Sequence, residues 1–204
     1  MEPKDHWEKI YTDKKGTEVT WHQLKPVVSL QLIDELNLSP DDPIIDVGAG
    51  SSTLADFLLE KGFLDLTLLD VSSSALENSK RRLGDKADRI NWLVSDFKDL
   101  KSDKNFKLWH DRAVFHFLTH ETDRERYREI LKGHLADKGY FLISTFASDG
   151  PDKCSGLKIV QYSQEALVDE FKEDFTFIKS TKETHLSPKG LEQNFIYCLF
   201  QKNT

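Results

Sequence analysis

The chain has 204 residues, 38% of them hydrophobic and 31% charged, which suits one α/β domain with a substantial core. Twenty-eight Lys and Arg against 35 Asp and Glu leave a net charge of −7, a poor match to a phosphate backbone, so a nucleic-acid partner is not expected. No apolar run approaches the ~18 residues of a membrane helix. Cys154 and Cys198 are too few for a disulfide framework, no Cys/His cluster suggests zinc, and no signal-peptide core opens the chain; the reducing cytoplasm is the expected location.

No repeat, low-complexity segment or Gly/Ser/Pro-rich linker divides the sequence. Residues 1–25 read as an N-terminal arm and 26–204 as a single domain. The arm carries Trp7, Tyr11 and Trp21, large apolar area on an otherwise charged segment, and is read as a lid or a peripheral helix. Residues 26–38 predict a helix with Pro26 in its first turn. Residues 43–47 read as a buried strand, followed by Gly48-Ala49-Gly50 and a helix with Leu54, Phe57 and Leu58 on one face. Leu66 to Asp70 form a second strand. A serine among Ser72, Ser73 and Ser74 caps the next helix, which stops at Gly84. Ile90 to Val94 are a third strand, and a fourth runs from about Phe106 to Asp111. A helix over 122–135, a strand over 140–146 and a short helix over 163–171 follow. Residues 175–180 and 195–200 read as a final antiparallel pair joined by a long connection. Five strands in β-α alternation plus this pair predict an α/β fold with a seven-stranded, largely parallel sheet.

The most informative stretch is Asp46-Val47-Gly48-Ala49-Gly50. Glycine permits a tight strand-to-helix turn and close approach of a ligand to the backbone. Asp70 ends the second strand 20 residues after Gly50, where a carboxylate can accept both hydroxyls of a ribose. Asp96-Phe97 follows the third strand; the acid can accept from an adenine amino group and the ring can cover the base, although Ser95 or Asp96 can equally cap a helix. Asp111 stands at the mouth of the fourth strand, and His116, with an unperturbed pKa near neutrality, is a candidate base, against the plainer reading of a satisfied structural histidine. Arg112 can pair with Asp111 or hold an anionic substrate. Cys154 is read as incidental, since no base can be assigned to it.

These residues resemble the class I, seven-strand S-adenosylmethionine-dependent methyltransferases, over about residues 40 to 200. The resemblance rests on the turn Asp46 to Gly50, the acids Asp70 and Asp96, the segment Leu108 to Phe117 and the paired last strands. It implies a three-layer, Rossmann-like sheet of order 3-2-1-4-5-7-6 with a reversed last strand. It further implies S-adenosylmethionine as cofactor, held by Asp46, Gly48, Gly50, Asp70, Val71, Asp96, Phe97 and Trp21, with Asp111 and His116 beside the transferred methyl group. Ser52 departs from the pattern, since many members carry glycine there. The N-terminal Trp7-x-x-x-Tyr11 with Trp21-His22-Gln23 is similar to the arm of small-molecule and protein-lysine methyltransferases.

The resulting expectation is a methyltransferase acting on a small molecule, with a protein lysine as second choice and no metal. Two rivals remain at this level. A nicotinamide-dependent oxidoreductase shares the turn and the ribose acid but lacks, at Thr53, the third glycine of GxGxxG. A non-catalytic cofactor-binding partner subunit would keep the same binding residues.

Overall fold

A computed structural model of the chain describes residues 3–14 and 16–204. Met1, Glu2 and Lys15, part of the arm expected over 1–25, lie outside the described residues.

Seven strands form one sheet: β1 (Ile44–Val47), β2 (Leu66–Asp70), β3 (Ile90–Val94), β4 (Phe106–Arg112), β5 (Leu135–Phe146), β6 (Phe175–Leu186) and β7 (Glu192–Lys202). Their order is β3-β2-β1-β4-β5-β7-β6. The first five pair in parallel and β7 runs antiparallel to both neighbours. Among the described residues six α-helices accompany them: α1 (Pro3–Asp13), α2 (Val27–Asp34), α3 (Leu54–Glu60), α4 (Ser73–Leu83), α5 (Glu121–His134) and α6 (Gln164–Phe171). A ribbon of two short strands, Lys153–Cys154 and Leu157–Lys158, follows β5.

Strand side chains alternate between faces, and the core divides accordingly. Ile44, Leu66, Leu68, Leu108, Leu142, Tyr197 and Leu199 pack with α2 and α3 on one face. Ile45, Val47, Leu69, Trp109, Phe141, Ile143 and Phe200 pack with α5 and α6 on the other. Both faces of the sheet are covered, which explains why β1 and β2 are buried at every position.

Helix ends follow local chemistry. Ser72 Oγ accepts from the Ala75 N–H to cap α4, and Gly84 ends that helix at φ 57. Ser163 caps α6 in the same way.

The last two strands depart from the sequence reading. Each is about twice the expected length, and a short hairpin joins them in place of a long connection; the Ser187 N–H donates to the Leu191 carbonyl across the turn. The added residues Thr181, Lys182, Glu183 and Thr184 are polar because β6 is the sheet edge. An edge strand needs no apolar run, so a hydrophobicity pattern misses it.

Helix α1 lies on α4. Tyr11, Val19 and Ala75 are buried together, with Trp7, Ile10 and Trp21 packed against them.

Candidate active site

A cavity of about 260 Å³ opens at the carboxyl ends of β1 to β4. Strand order reverses between β1 and β4, the place where open α/β sheets bind ligands. Asp46, Gly48, Asp70, Val71, Asp96, Phe97 and Trp21 all line it, together with Trp7, Tyr11, His22, Gln23, His110, Arg112 and Phe117.

Asp46 is buried on the α2 face of β1. Register pairs it with His110 of β4, so both side chains share that face. The His110 ring is 2.6 Å from Asp46 Oδ1 through Nδ1 and 3.0 Å from Ser29 Oγ through Nε2. A carboxylate can only accept, which places a proton on Nδ1. One Asp46 oxygen is thus fixed. The other, Oδ2, is buried with no partner.

Asp70 ends β2. Its Oδ2 accepts from the Gly50 N–H at 2.8 Å and its Oδ1 from the Ser72 N–H at 2.8 Å. Burial pushes its carboxyl up to about 6, against the pull of those two donors. Each oxygen keeps a further lone pair for a ligand hydroxyl.

The two glycines of the turn have φ 65 at Gly48 and φ 54 at Gly50, which favours residues without a Cβ. A Cβ on Gly48 would strike Val114, and one on Gly50 would strike the Tyr11 hydroxyl. The turn is therefore pressed between the loop after β4 and the arm. Tyr11 in turn accepts from Trp21 Nε1 at 3.2 Å, and burial holds its hydroxyl far above the ordinary tyrosine range.

Asp96 both lines the cavity and caps the short turn that follows, accepting from the Lys98 N–H at 2.9 Å. Phe97 sits against Tyr127, ring centres 5.1 Å apart.

Asp111 and His116 are not in the cavity wall. Asp111 points to the opposite face from His110, as its neighbour in a strand must. It accepts from the Val114 N–H (2.9 Å), the Phe115 N–H (3.2 Å) and the Tyr127 hydroxyl (2.6 Å). Those bonds brace a turn in which Ala113 takes φ 75. Burial raises the Asp111 carboxyl to about 6. His116 is fully buried, its ring 5.0 Å from that of Phe146 and its Nδ1 accepting weakly from the Phe146 N–H at 3.4 Å. Burial, reinforced by the Arg112 charge, lowers its pKa to about 3. The expectation of an acid and a base at the methyl group is corrected here: both side chains hold the loop after β4. Cys154 does reach the cavity, but burial pushes its thiol up to about 12, where it is no nucleophile.

Sequence reasoning missed the Ser29–His110–Asp46 chain, because strand register is not written in either strand alone. It also missed the latch that holds α1. Glu8 accepts from Ser72 Oγ (2.8 Å), Ser73 Oγ (3.1 Å), Ser74 Oγ (2.6 Å) and the Ser74 N–H (3.3 Å). These contacts, the Ser74 hydroxyl first among them, lower its carboxyl to about 2. Three consecutive serines read simply as a choice of cap.

Comparison with known proteins agrees with the fold. A family model described as a methyltransferase domain matches residues 38–203. The mouse eEF1A lysine and N-terminal methyltransferase is 22% identical over 129 residues, 62% of the chain; the chain spans 18% of that protein's length. The ubiquinone biosynthesis O-methyltransferase of Rickettsia felis is 24% identical over 165 residues, covering 78% of the chain and 66% of that enzyme. The crystal structure of a SAM-dependent methyltransferase from Anabaena variabilis superposes with a TM-score of 0.76 at 18% identity, covering all of the chain and 96% of that structure. The chain belongs to the methyltransferase domain family. The nicotinamide reading falls with that assignment. Among the described residues no cluster suited to a metal ion occurs, and no helix is long and apolar enough to cross a membrane.

Proposed function

We propose that the cavity binds S-adenosylmethionine between the β1 turn and α1 and that the chain transfers its methyl group to a small-molecule acceptor. The observation that carries this reading is the buried, partnerless Oδ2 of Asp46 in a cavity that also presents Asp70. An unpaired buried carboxylate oxygen is costly, and an ammonium group, such as that of a methionine moiety, removes the cost. Asp70 takes the ribose hydroxyls, Asp96 the adenine amino group, and Phe97 and Val71 the faces of the base. Gly48 lines the cavity, while Gly50 is not in its wall and, packed under the Tyr11 hydroxyl, shapes the turn beside it. The bound cofactor supplies a methyl group on a positively charged sulfur, an electrophile that needs no protein nucleophile.

The chain's own contribution is alignment and exclusion of water. Proximity of this kind supplies up to ~7–11 kcal/mol. His110 fixes the Asp46 carboxylate, and Trp7, Tyr11 and Trp21 cover the cavity as a lid. Asp111 and His116 act indirectly, by setting the loop that carries Ala113, Val114 and Phe117.

Relatives named for eEF1A lysine methylation and for O-methylation in ubiquinone biosynthesis leave both acceptor classes in view. The aromatic cover favours the small molecule, because an enclosed site accommodates a whole ligand better than the tip of a protein side chain. The test is methyl transfer from labelled S-adenosylmethionine to cell extract divided into small-molecule, protein and nucleic-acid fractions. Label in the small-molecule fraction supports the proposal; label confined to protein refutes the acceptor class.

A further inference from the structure

The cavity changes sign from one end to the other. Asp46, Asp70 and Asp96 stand at the ends of β1, β2 and β3. Arg112 closes β4, on the same face as His110. Its guanidinium is held by neutral groups only: Nε donates to the Tyr197 hydroxyl at 3.0 Å and Nη1 to the Trp21 carbonyl at 3.1 Å. The Phe195 ring lies beneath it, 4.4 Å from the guanidinium carbon. The nearest carboxylate in this network, Glu183, is one step removed, accepting from the Tyr197 hydroxyl at 2.7 Å. Nη2 is buried and has no partner. Among the described residues Arg112 makes no ion pair.

A guanidinium fixed in this way on a cavity wall, with one N–H group unused, has the chemistry to receive an anion. His22, next to the carbonyl that Arg112 holds, also lines the cavity and has a buried, partnerless Nε2. Aromatic surface adjoins the charge. Trp7 packs edge-on against Trp21 and Phe117, at 5.7 and 5.2 Å between ring centres. We propose that Arg112 is the anion-binding residue of the acceptor half of the cavity, and that the methyl acceptor carries a carboxylate beside an apolar or aromatic body. This rests on the reading of the cavity as a methyltransferase site. A protonated amine would meet a like charge at the same place, so the structure disfavours a lysine side chain as acceptor.

One other carboxylate could reach Arg112, that of the cofactor's own methionine. Two ligands separate the sources: S-adenosylhomocysteine carries that carboxylate and 5′-methylthioadenosine lacks the amino-acid end. The experiment titrates wild type, Arg112→Met and Arg112→Lys with both. It then titrates each protein, saturated with S-adenosylhomocysteine, with benzoate, benzamide and benzylamine. The expected result is benzoate binding to the wild-type complex, at least tenfold tighter than benzamide or benzylamine. Arg112→Met should lose that preference and Arg112→Lys should recover part of it, while nucleoside affinities stay within a factor of about two. The proposal is overturned if benzoate does not bind or shows no preference over benzamide. It is equally overturned if Arg112→Met weakens S-adenosylhomocysteine tenfold and leaves 5′-methylthioadenosine unchanged, which would assign Arg112 to the cofactor. Failure of wild type to bind either nucleoside would refute the methyltransferase reading itself, a distinct outcome.

Discussion

Replacing Glu8 with alanine should unlatch α1 without unfolding the domain. Glu8 is the one side chain of α1 whose carboxylate spans to the start of α4, with contacts of 2.6 and 2.8 Å to the Ser74 and Ser72 hydroxyls and longer ones to Ser73 and the Ser74 N–H. Hydrogen bonds to a charged group contribute ~1.5–3 kcal/mol net, and a carboxylate at a helix N-terminus adds ~0.3–1 kcal/mol. Glu8 is only half-buried and the serines regain water when the arm lifts, so the lower half of that range applies, about 2 kcal/mol. That is roughly a 30-fold shift toward the open arm. Amide hydrogen exchange reads it directly: residues 3–14 should exchange about 30 times faster in the variant, while β1, β4 and β5 keep their protection. Because the folded-state carboxyl lies at about 2, below its ordinary 4.5, the latch is fully present above about pH 4.5 and is lost as pH falls toward 2. Unchanged exchange in the arm, or an equal acceleration in the core strands, would refute the reasoning.

Other outcomes follow from the same geometry. Gly50→Ala places a Cβ against the Tyr11 hydroxyl at a left-handed φ, so it should cost at least ~1–2 kcal/mol in thermal or chemical denaturation and disturb Trp7 and Trp21 fluorescence. His116→Asn should leave the pH dependence of methyl transfer unchanged, since the ring does not reach the cavity. The same variant should flatten the fall in stability on acidification: the folded-state pKa of about 3 lies below the unfolded value of 6.5, so the wild-type contribution is full above 6.5 and is lost as pH falls toward 3. Denaturation curves at stepped pH check this; a retained acid slope would contradict it. Asp46→Asn keeps a hydrogen-bonding group toward His110 but removes the charge proposed for the ammonium. It should therefore weaken S-adenosylhomocysteine at least tenfold and 5′-methylthioadenosine little, as read by calorimetry.

The fold was legible in the sequence wherever chemistry is local. Apolar runs located β1 to β5, the run Ser72 to Ser74 contained the cap of α4, and Gly84 marked that helix's end at its observed place. The turn Asp46 to Gly50 and the acid Asp70 were recognisable because a tight backbone turn and a strand-end acid are properties of a few consecutive residues. What was not legible depends on pairing. Asp46 and His110 meet only because β1 and β4 align in one register. Asp111 and His116 looked like site residues because chain proximity to a strand end says nothing about which face a side chain takes. The polar half of β6 escaped notice because an edge strand carries no apolar signature. The role of Glu8 emerges only once α1 is laid on α4, some 65 residues further along the chain.

In the proposed function, Asp70 and the glycine turn before it form a nucleoside site for a methyl-donor cofactor. The most direct measurement is a calorimetric titration of wild type and Asp70→Ala with S-adenosylhomocysteine, with NAD as the competing ligand. S-adenosylhomocysteine should bind wild type while NAD does not, and Asp70→Ala should lose about 10- to 150-fold in affinity, the value of ~1.5–3 kcal/mol for hydrogen bonds to a charged acceptor. NAD binding by wild type, or unchanged S-adenosylhomocysteine affinity in a folded Asp70→Ala protein, would rule out that site.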